Sequence, residues 1–510
     1  MAFFKSPRFF EILPGALAWL TIILMFAGSW FLPVWAAVFI ILFDLYWLLK
    51  TVYLSLHLRS GFSKMRAVMK VNWRTRLEED ARTRNRWRDL YHLVILPMYN
   101  EPHAVVRETF QQLAATNYPL DRFIVVLAVE ERAGETARET ARLIENEFGK
   151  TFFKFLITVH PAGLLGEIPG KGSNEAWAAK SVKEEIIDPL GIAYEKIIAS
   201  VFDVDTQVFP EYFGVLAHAF LTAEKPLRST FQPVPLFTNN IFEAPALARV
   251  ISFSSTFWQL TQQSRPEKLR SFSSHSMSFA PLVEIGFWHK DVVSEDSRIF
   301  WQCWVHFKGD WRTVPLFYPL SMDANVAPTF WGTMVNLYKQ QRRWGWGVEN
   351  IAYVFPAMIG NAAIPFGDKL TRGFDLLEGF HSWATNSLII FALGWLPIIL
   401  GGQVFRASLL AYNLPEITRW IMNLAMLGIA TSATLSIVLL PPRPLHFKRF
   451  QYVVYFLSWV LIPITLIVFG SFAALEAQTR LMLSGKYRLD FWVTPKHRKT
   501  DNRQPTTNKE

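Results

Sequence analysis

Two hydrophobic patterns divide the chain. Residues 12–49 form a run of 38 with a single charge, Asp44. As a helix it would be roughly 57 Å long at ~1.5 Å per residue, far more than a ~30 Å hydrocarbon core requires. Gly28, Ser29 and Pro33 interrupt it near the middle, so the run predicts a transmembrane hairpin over about 11–30 and 34–56. The competing reading is a cleaved signal peptide ending near Ala27, Gly28 and Ser29, with Lys5 and Arg8 as its basic region. Late in the chain, uncharged runs at 382–405, 420–442 and 450–475 are each long enough to span. The weaker run 350–367, broken by Pro356, Gly360 and Pro365, suits a helix lying in the interface.

Between these portions the pattern shortens to buried strands alternating with helices. Strand-like runs fall at 92–97, 123–129, 152–159 and 196–202. Helical segments follow Pro102 and occupy 134–148 and 174–187. Such alternation predicts a mostly parallel, right-handed α/β sheet. The expected organisation is a hairpin over 1–57, an α/β domain over 58–350, interfacial helices over 351–381, membrane helices over 382–475, and a basic tail over 476–510.

In open sheets of this kind, ligands bind beyond the carboxyl ends of the strands. Three of the four predicted strand ends carry polar clusters: Asn100 and Glu101, Glu130 and Glu131, and Asp203 and Asp205. Two aspartates one residue apart, just after a buried strand, suit a hard divalent cation, Mg²⁺ or Mn²⁺, bridging to a pyrophosphate. A solvated turn is the plainer alternative.

Composition narrows the function classes. The 510 residues are 51% apolar and 18% charged, with 43 Phe, 20 Trp and 14 Tyr, which excludes disorder for most of the chain. The single cysteine, Cys303, excludes an internal disulfide and a cysteine-based zinc site. The net charge of +10 is largely topological: residues 50–88 hold 11 Lys/Arg against three acids, which predicts that this side is cytoplasmic. No nucleic-acid partner is needed to explain it. The tail poses a conflict. Five spans would place it outside, yet from Thr479 onward it has eight Lys/Arg and three acids, which favours inside. One late assignment must therefore fail, either 350–367 or the run containing Pro463.

Other chemistries drop out. Before Gly170 and Lys171, Leu165 stands where a phosphate loop needs its first glycine, and Gly172 stands where it needs Ser or Thr. There is no His-Glu-x-x-His, no Gly-x-Ser-x-Gly, and no Gly-x-Gly-x-x-Gly after the first strand, which removes metalloprotease, serine hydrolase and dinucleotide oxidoreductase. Lys171 is then either a point charge for a phosphate or a solvated loop lysine. Glu295 and Asp296 precede an aromatic stretch, 299–307. A carboxylate there is either a partly desolvated general base or a helix-start charge. Gln340, Arg343 and Trp344 suit a diphosphate and a sugar face, or else lipid anchoring.

Taken in order, these residues resemble the membrane-embedded, processive-type glycosyltransferases of family 2, the group of cellulose, hyaluronan and chitin synthases. The carriers are Leu96 to Glu101, Asp203 and Asp205, Ser294 to Asp296, Gln340 with Arg343 and Trp344, and Phe491 to Lys496. The last matches the Phe-x-Val-Thr-x-Lys gating motif of bacterial cellulose synthases at every defined position. The resemblance implies an α/β GT-A (Rossmann-like) cytoplasmic domain inserted between transmembrane α-helices of an integral cell-membrane protein. It implies donor contacts for Pro97, Tyr99, Glu101, Glu130, Glu131, Lys171, Asp203, Gln340, Arg343, Thr494 and Lys496. It makes Asp205, with Asp203, the ligand of Mg²⁺ or Mn²⁺, Asp296 the catalytic base, and Trp344 an acceptor contact. Its partners would be a nucleotide-sugar donor, a polysaccharide or lipid acceptor, and membrane lipids. The chain departs from the family at Glu130 and Glu131, where aspartate is usual, and at Ser294, where threonine is usual.

The chemistry implied is inverting transfer forming a β-linkage. A metal-bound nucleoside diphosphate leaves without protonation, so one base suffices. Two other classes compete: an inactive membrane scaffold with a degenerate donor site, and a transporter, which would need ionisable residues within its spans beyond Asp44. The tail, following the last apolar run, is expected to be free to move and to close on a bound diphosphate.

Overall fold

The computed structural model describes residues 6–444, 447–490, 492–495 and 498. Its centre is an eight-stranded mixed sheet in the order β3-β2-β1-β4-β7-β6-β8-β5. The first four strands are β1 (Tyr91–Met98), β2 (Phe123–Glu130), β3 (Lys154–His160) and β4 (Ile197–Val201). They are mutually parallel, with β1 flanked by β2 and β4. Every residue of β2 is buried, because helices cover both faces of a parallel sheet. Each of its large apolar side chains contributes roughly 1.5–3 kcal/mol by leaving water.

The remaining strands are β5 (Gln207–Val208), β6 (Ser229–Leu236), β7 (Ser276–Ser278) and β8 (Arg312–Ser321). β7 joins the two halves, running antiparallel to β4 and to β6, and β8 lies parallel to β6. The sequence pattern does not predict these four. The helices His103–Ala114, Gly134–Phe148 and Lys171–Val182 connect the parallel strands where expected, the last continuing into a π-helical turn, Lys183–Ile187.

The hairpin comprises Pro7–Phe31 and Pro33–Val68, turning at Leu32. The second helix runs past the expected boundary at 57. Its final turns pack on the α/β domain, where Gly61 lies so close to Leu260 that a Cβ would stand 2.3 Å from that carbonyl oxygen. The expected interfacial run 350–367 is two elements, Glu349–Gly360 and the start of Phe366–Phe391.

Among the described residues four helices are long and apolar enough to cross a membrane: Pro7–Phe31, Pro33–Val68, Leu409–Val438 and Gln451–Leu483. A fifth candidate is the pair Phe366–Phe391 and Leu393–Leu400, bent by 49°. The expected uncharged runs thus lie mainly in helices, with 420–442 running past the helix end at Val438 and 382–405 bent rather than straight.

Candidate functional site

The site lies beyond the carboxyl ends of the parallel strands. β4 delivers Asp203, and Glu295–His306 is a helix whose first turn carries Glu295 and Asp296. The helix Lys171–Val182 brings Lys171 between them. The Lys171 ammonium lies 2.8 Å from Asp296 Oδ1 and 2.9 Å from Asp203 Oδ1. It is also 3.5 Å from Glu175 Oε1 and 3.6 Å from Glu295 Oε1. Burial alone would lower the lysine's pKa, but these carboxylates outweigh it and hold the ammonium well above its ordinary range.

This approach depends on Gly172, where a Cβ would stand 3.0 Å from Glu295 Cβ and 3.1 Å from His289 O. The glycine that breaks the phosphate-loop pattern is what lets the two helices meet.

Oxygens of Glu175, Glu295 and Asp296 come within 4.8 Å of one another, close enough to share a cation, and the Lys171 ammonium already sits among them. Both glutamates are buried, and no side chain among the described residues donates a hydrogen bond to either carboxylate. Burial raises the Glu295 pKa to about 7, with the Asp296 charge adding to the effect and Lys171 and Arg343 opposing it. Glu175 is also pushed well above its ordinary value, again chiefly by burial. His275, 3.8 Å from Asp296 Oδ1, is held neutral by burial, with a pKa lowered to about 4.

The two aspartates of the Asp-x-Asp meet different partners. Ser273 donates to Asp203 Oδ2 at 2.8 Å. Asp205 is fully buried, and its Oδ2 accepts the Asp323 amide N–H at 3.0 Å. Asn239 Nδ2 ties Asp323 Oδ1 to the Asp205 carbonyl, at 3.0 and 2.9 Å. Onto Asp323 folds the tail residue Arg498, donating to both carboxylate oxygens and pairing also with Glu108. A guanidinium thus supplies positive charge to the pocket holding Asp205 and Asp323. The carboxylates of Asp205 and Asp323 are hard oxygen donors of the kind a divalent cation takes.

The other predicted residues gather around this edge. Glu101 Oε2 accepts the Tyr99 N–H at 2.8 Å, closing the turn after β1, in which Pro97 pairs with Ala128 of β2. Glu130 is engaged by its own neighbour Arg132, at 2.5 and 3.2 Å, and that guanidinium covers the Tyr99 ring at 4.6 Å. Glu131 accepts the Ala162 N–H at 2.9 Å. Gln340, Arg343 and Trp344 share one face of the helix Phe330–Gly345. Gln340 accepts from Asn325 at 3.4 Å, and the Trp344 ring packs against Phe237 and Phe272.

Ser271 donates to the Asp296 carbonyl at 2.6 Å, so the segment 271–275 links Asp296, Trp344 and Asp203. In the tail, Thr494 is buried, its hydroxyl without a hydrogen-bond partner among the described residues, and Lys339 lies over the Trp492 ring at 5.4 Å. Lys496 lies outside the described residues.

Sequence reasoning missed Glu175, Ser273, His275, Asn239, Asp323 and Arg498. A signal existed for Glu175, four residues after Lys171 on the same helical face, and for the polar run 271–276. None singled out Asp323.

No protein-family profile matches the chain, and no curated protein matches it. Among solved structures, the chain is similar to the mannosyltransferase PcManGT from Pyrobaculum calidifontis in complex with GDP-Man and Mn²⁺. The identity is 13% over 87% of this chain and 99% of that one, with a TM-score of 0.43. It is also similar to S. aureus TarS 1–349, at 12% identity over 78% and 93% of the two chains, with a TM-score of 0.35.

Proposed function

We propose that this protein is an inverting GT-A glycosyltransferase of family 2 that transfers a sugar from a nucleotide-sugar donor to a polysaccharide or lipid acceptor at the membrane, forming a β-linkage. The observation that carries the reading is the Lys171 bridge. One ammonium joins the carboxylate at a parallel-strand end, Asp203, to the carboxylate at a helix start, Asp296, beside the helix bearing Gln340, Arg343 and Trp344.

Asp296 accepts the proton of the acceptor hydroxyl as its oxygen attacks the anomeric carbon. The bond from that carbon to the nucleoside diphosphate breaks on the opposite face, and the diphosphate takes the electron pair. Lys171 is shared between the base and the donor side. A diphosphate that draws the ammonium toward Asp203 leaves both oxygens of Asp296 open to that proton. Mg²⁺ or Mn²⁺, held by Asp205 and Asp203 with Asp323 beside them, would neutralise charge on the leaving diphosphate. Arg343 supplies further positive charge and Trp344 a face for the acceptor sugar.

The donor pocket is tested by calorimetric titration with UDP-glucose, UDP-N-acetylglucosamine and GDP-mannose in Mn²⁺. At least one should bind, and Asp203→Asn should weaken that donor at least ~10-fold, a change of about 1.4 kcal/mol. Binding of none by the folded wild-type protein would favour an inactive scaffold.

A further inference from the structure

The helix Gln451–Leu483 passes every compositional requirement for a membrane span, yet its contacts place both its ends beside the α/β domain. At its start, the Tyr455 hydroxyl donates to Phe242 O at 3.4 Å and the Arg249 guanidinium covers the Tyr455 ring at 3.7 Å. One turn on, Trp459 stacks on Phe257 with centroids 5.6 Å apart. Near its end, Glu476 accepts from the Tyr338 hydroxyl at 2.7 Å and from Arg342 at 2.6 Å. The carbonyls of Leu481 and Met482 accept from Arg8, which opens the hairpin. Between the ends, Phe469 belongs to the same buried cluster as Leu337 and Phe257. A crossing helix must carry its two ends about 30 Å apart along the bilayer normal. This one instead packs at both ends on the helices Ala246–Gln263 and Phe330–Gly345 of the domain, and dips between them against Phe366–Phe391, where the Ser387 and Ser471 hydroxyls lie 2.6 Å apart and Gln478 donates to Phe380 O at 2.7 Å. Pro463 and the π-helical stretch Thr465–Phe472 interrupt it midway.

The other late helices behave differently. Phe366–Phe391 starts on the domain's side, where Asp375 pairs with Lys268 at 2.9 Å. The bent continuation reaches the opposite end of the hairpin, where a Cβ on Gly401 would stand 2.7 Å from Pro33. Leu409–Val438 then returns: Leu414 clusters with Ile40, Gly428 faces Thr51 and Ser55, and Ser436 accepts from Trp459 at 3.0 Å.

We propose that Gln451–Leu483 does not cross the bilayer but enters and leaves on the side of the α/β domain, with its outer face seated in the lipid leaflet nearest that domain. The chain then crosses four times, through the hairpin, the bent pair and Leu409–Val438. The occupant of the outer face is lipid on two grounds. Val453, Val460, Ile464 and Phe472 are exposed, Val460 by 73%, in continuity with the exposed apolar faces of the spans. Exposed Arg443, Lys448 and Arg449 precede the helix, matching anionic headgroups. The even count of crossings also returns the tail to the domain, where Trp492 and Arg498 are found.

The test uses the full chain in sealed vesicles of phosphatidylethanolamine and phosphatidylglycerol. A membrane-impermeant amine reagent is applied before and after permeabilisation, and labelled lysines are read by mass spectrometry. The native Lys486 should react from the same face as Lys150 of the α/β domain. A membrane-impermeant maleimide should reach Val404→Cys from the opposite face, the native Cys303 being buried. Nitroxides at Val453→Cys and Leu483→Cys should report the same leaflet. Lys486 reacting from the face opposite Lys150, or the two nitroxides residing in different leaflets, would overturn the proposal.

Discussion

Lys171 is one positive charge facing four carboxylates. At an effective dielectric of about 20, a unit charge 3.5 Å away is worth roughly 5 kcal/mol, similar to the several kcal/mol lost on burying one ion. One ammonium therefore offsets the penalty of one or two carboxylates, not four. Asp203 and Asp296 are nearest and partly exposed, and the shortfall falls on Glu175 and Glu295, whose carboxyls burial pushes up. Glu295 has a folded pKa of about 7 against an ordinary 4.5. The folded protein thus holds a proton that the unfolded chain releases, and stability falls as pH rises from about 4.5 to about 7. Glu295→Gln removes that titration. The variant should melt higher than wild type at pH 8, and the gap should close on acidification towards pH 4.5. A gap independent of pH in thermal melts would show that Glu295 is ionised throughout. Asp203, Asp296 and Lys171 were legible in the sequence because each sits in a motif. Asp323 and Arg498 were not, since 175 residues separate them and only the fold brings them together.

At the level of elements, the four parallel strands announced themselves as short buried apolar runs, and their helices as amphipathic segments. The other half of the sheet did not. β6 and β8 each contain two prolines, which a pattern reader assigns to edges or loops, while β5 and β7 span two and three residues. They persist because tertiary packing overrides that local signal, and β7 completes the sheet beside Asp203. The meeting of the Lys171 and Glu295 helices is equally invisible locally and depends on Gly172. Gly172→Val should push those helices apart, costing ~1–3 kcal/mol of stability by overpacking. It should also lower transfer more than donor binding, because Asp296 loses its alignment with Lys171. Equal activity and melting temperature in the valine variant would show that the close approach is unnecessary.

Over the whole molecule, hydropathy identified the long apolar helices among the described residues but not which of them cross, and it missed the shorter apolar helix Tyr212–Thr222. Length and apolarity are shared by a span and by a helix pressed between a domain and lipid, and only contacts at both ends tell them apart. The charge of the tail agrees with the four-crossing proposal, which puts its basic residues on the side of the α/β domain, where Arg498 is found. The Asp205 and Asp323 pair, the Lys171 bridge and the helix of Gln340, Arg343 and Trp344 lie along one edge of the α/β domain. The most direct measurement of whether that edge transfers sugar is single-turnover transfer from labelled donors by the protein in lipid vesicles, comparing wild type with Asp296→Asn. The account predicts a labelled β-linked product from wild type, with turnover reduced at least ~10²-fold in the variant while donor affinity is retained. Transfer at the wild-type rate by Asp296→Asn, or no product from a wild-type protein that binds its donor, would contradict it.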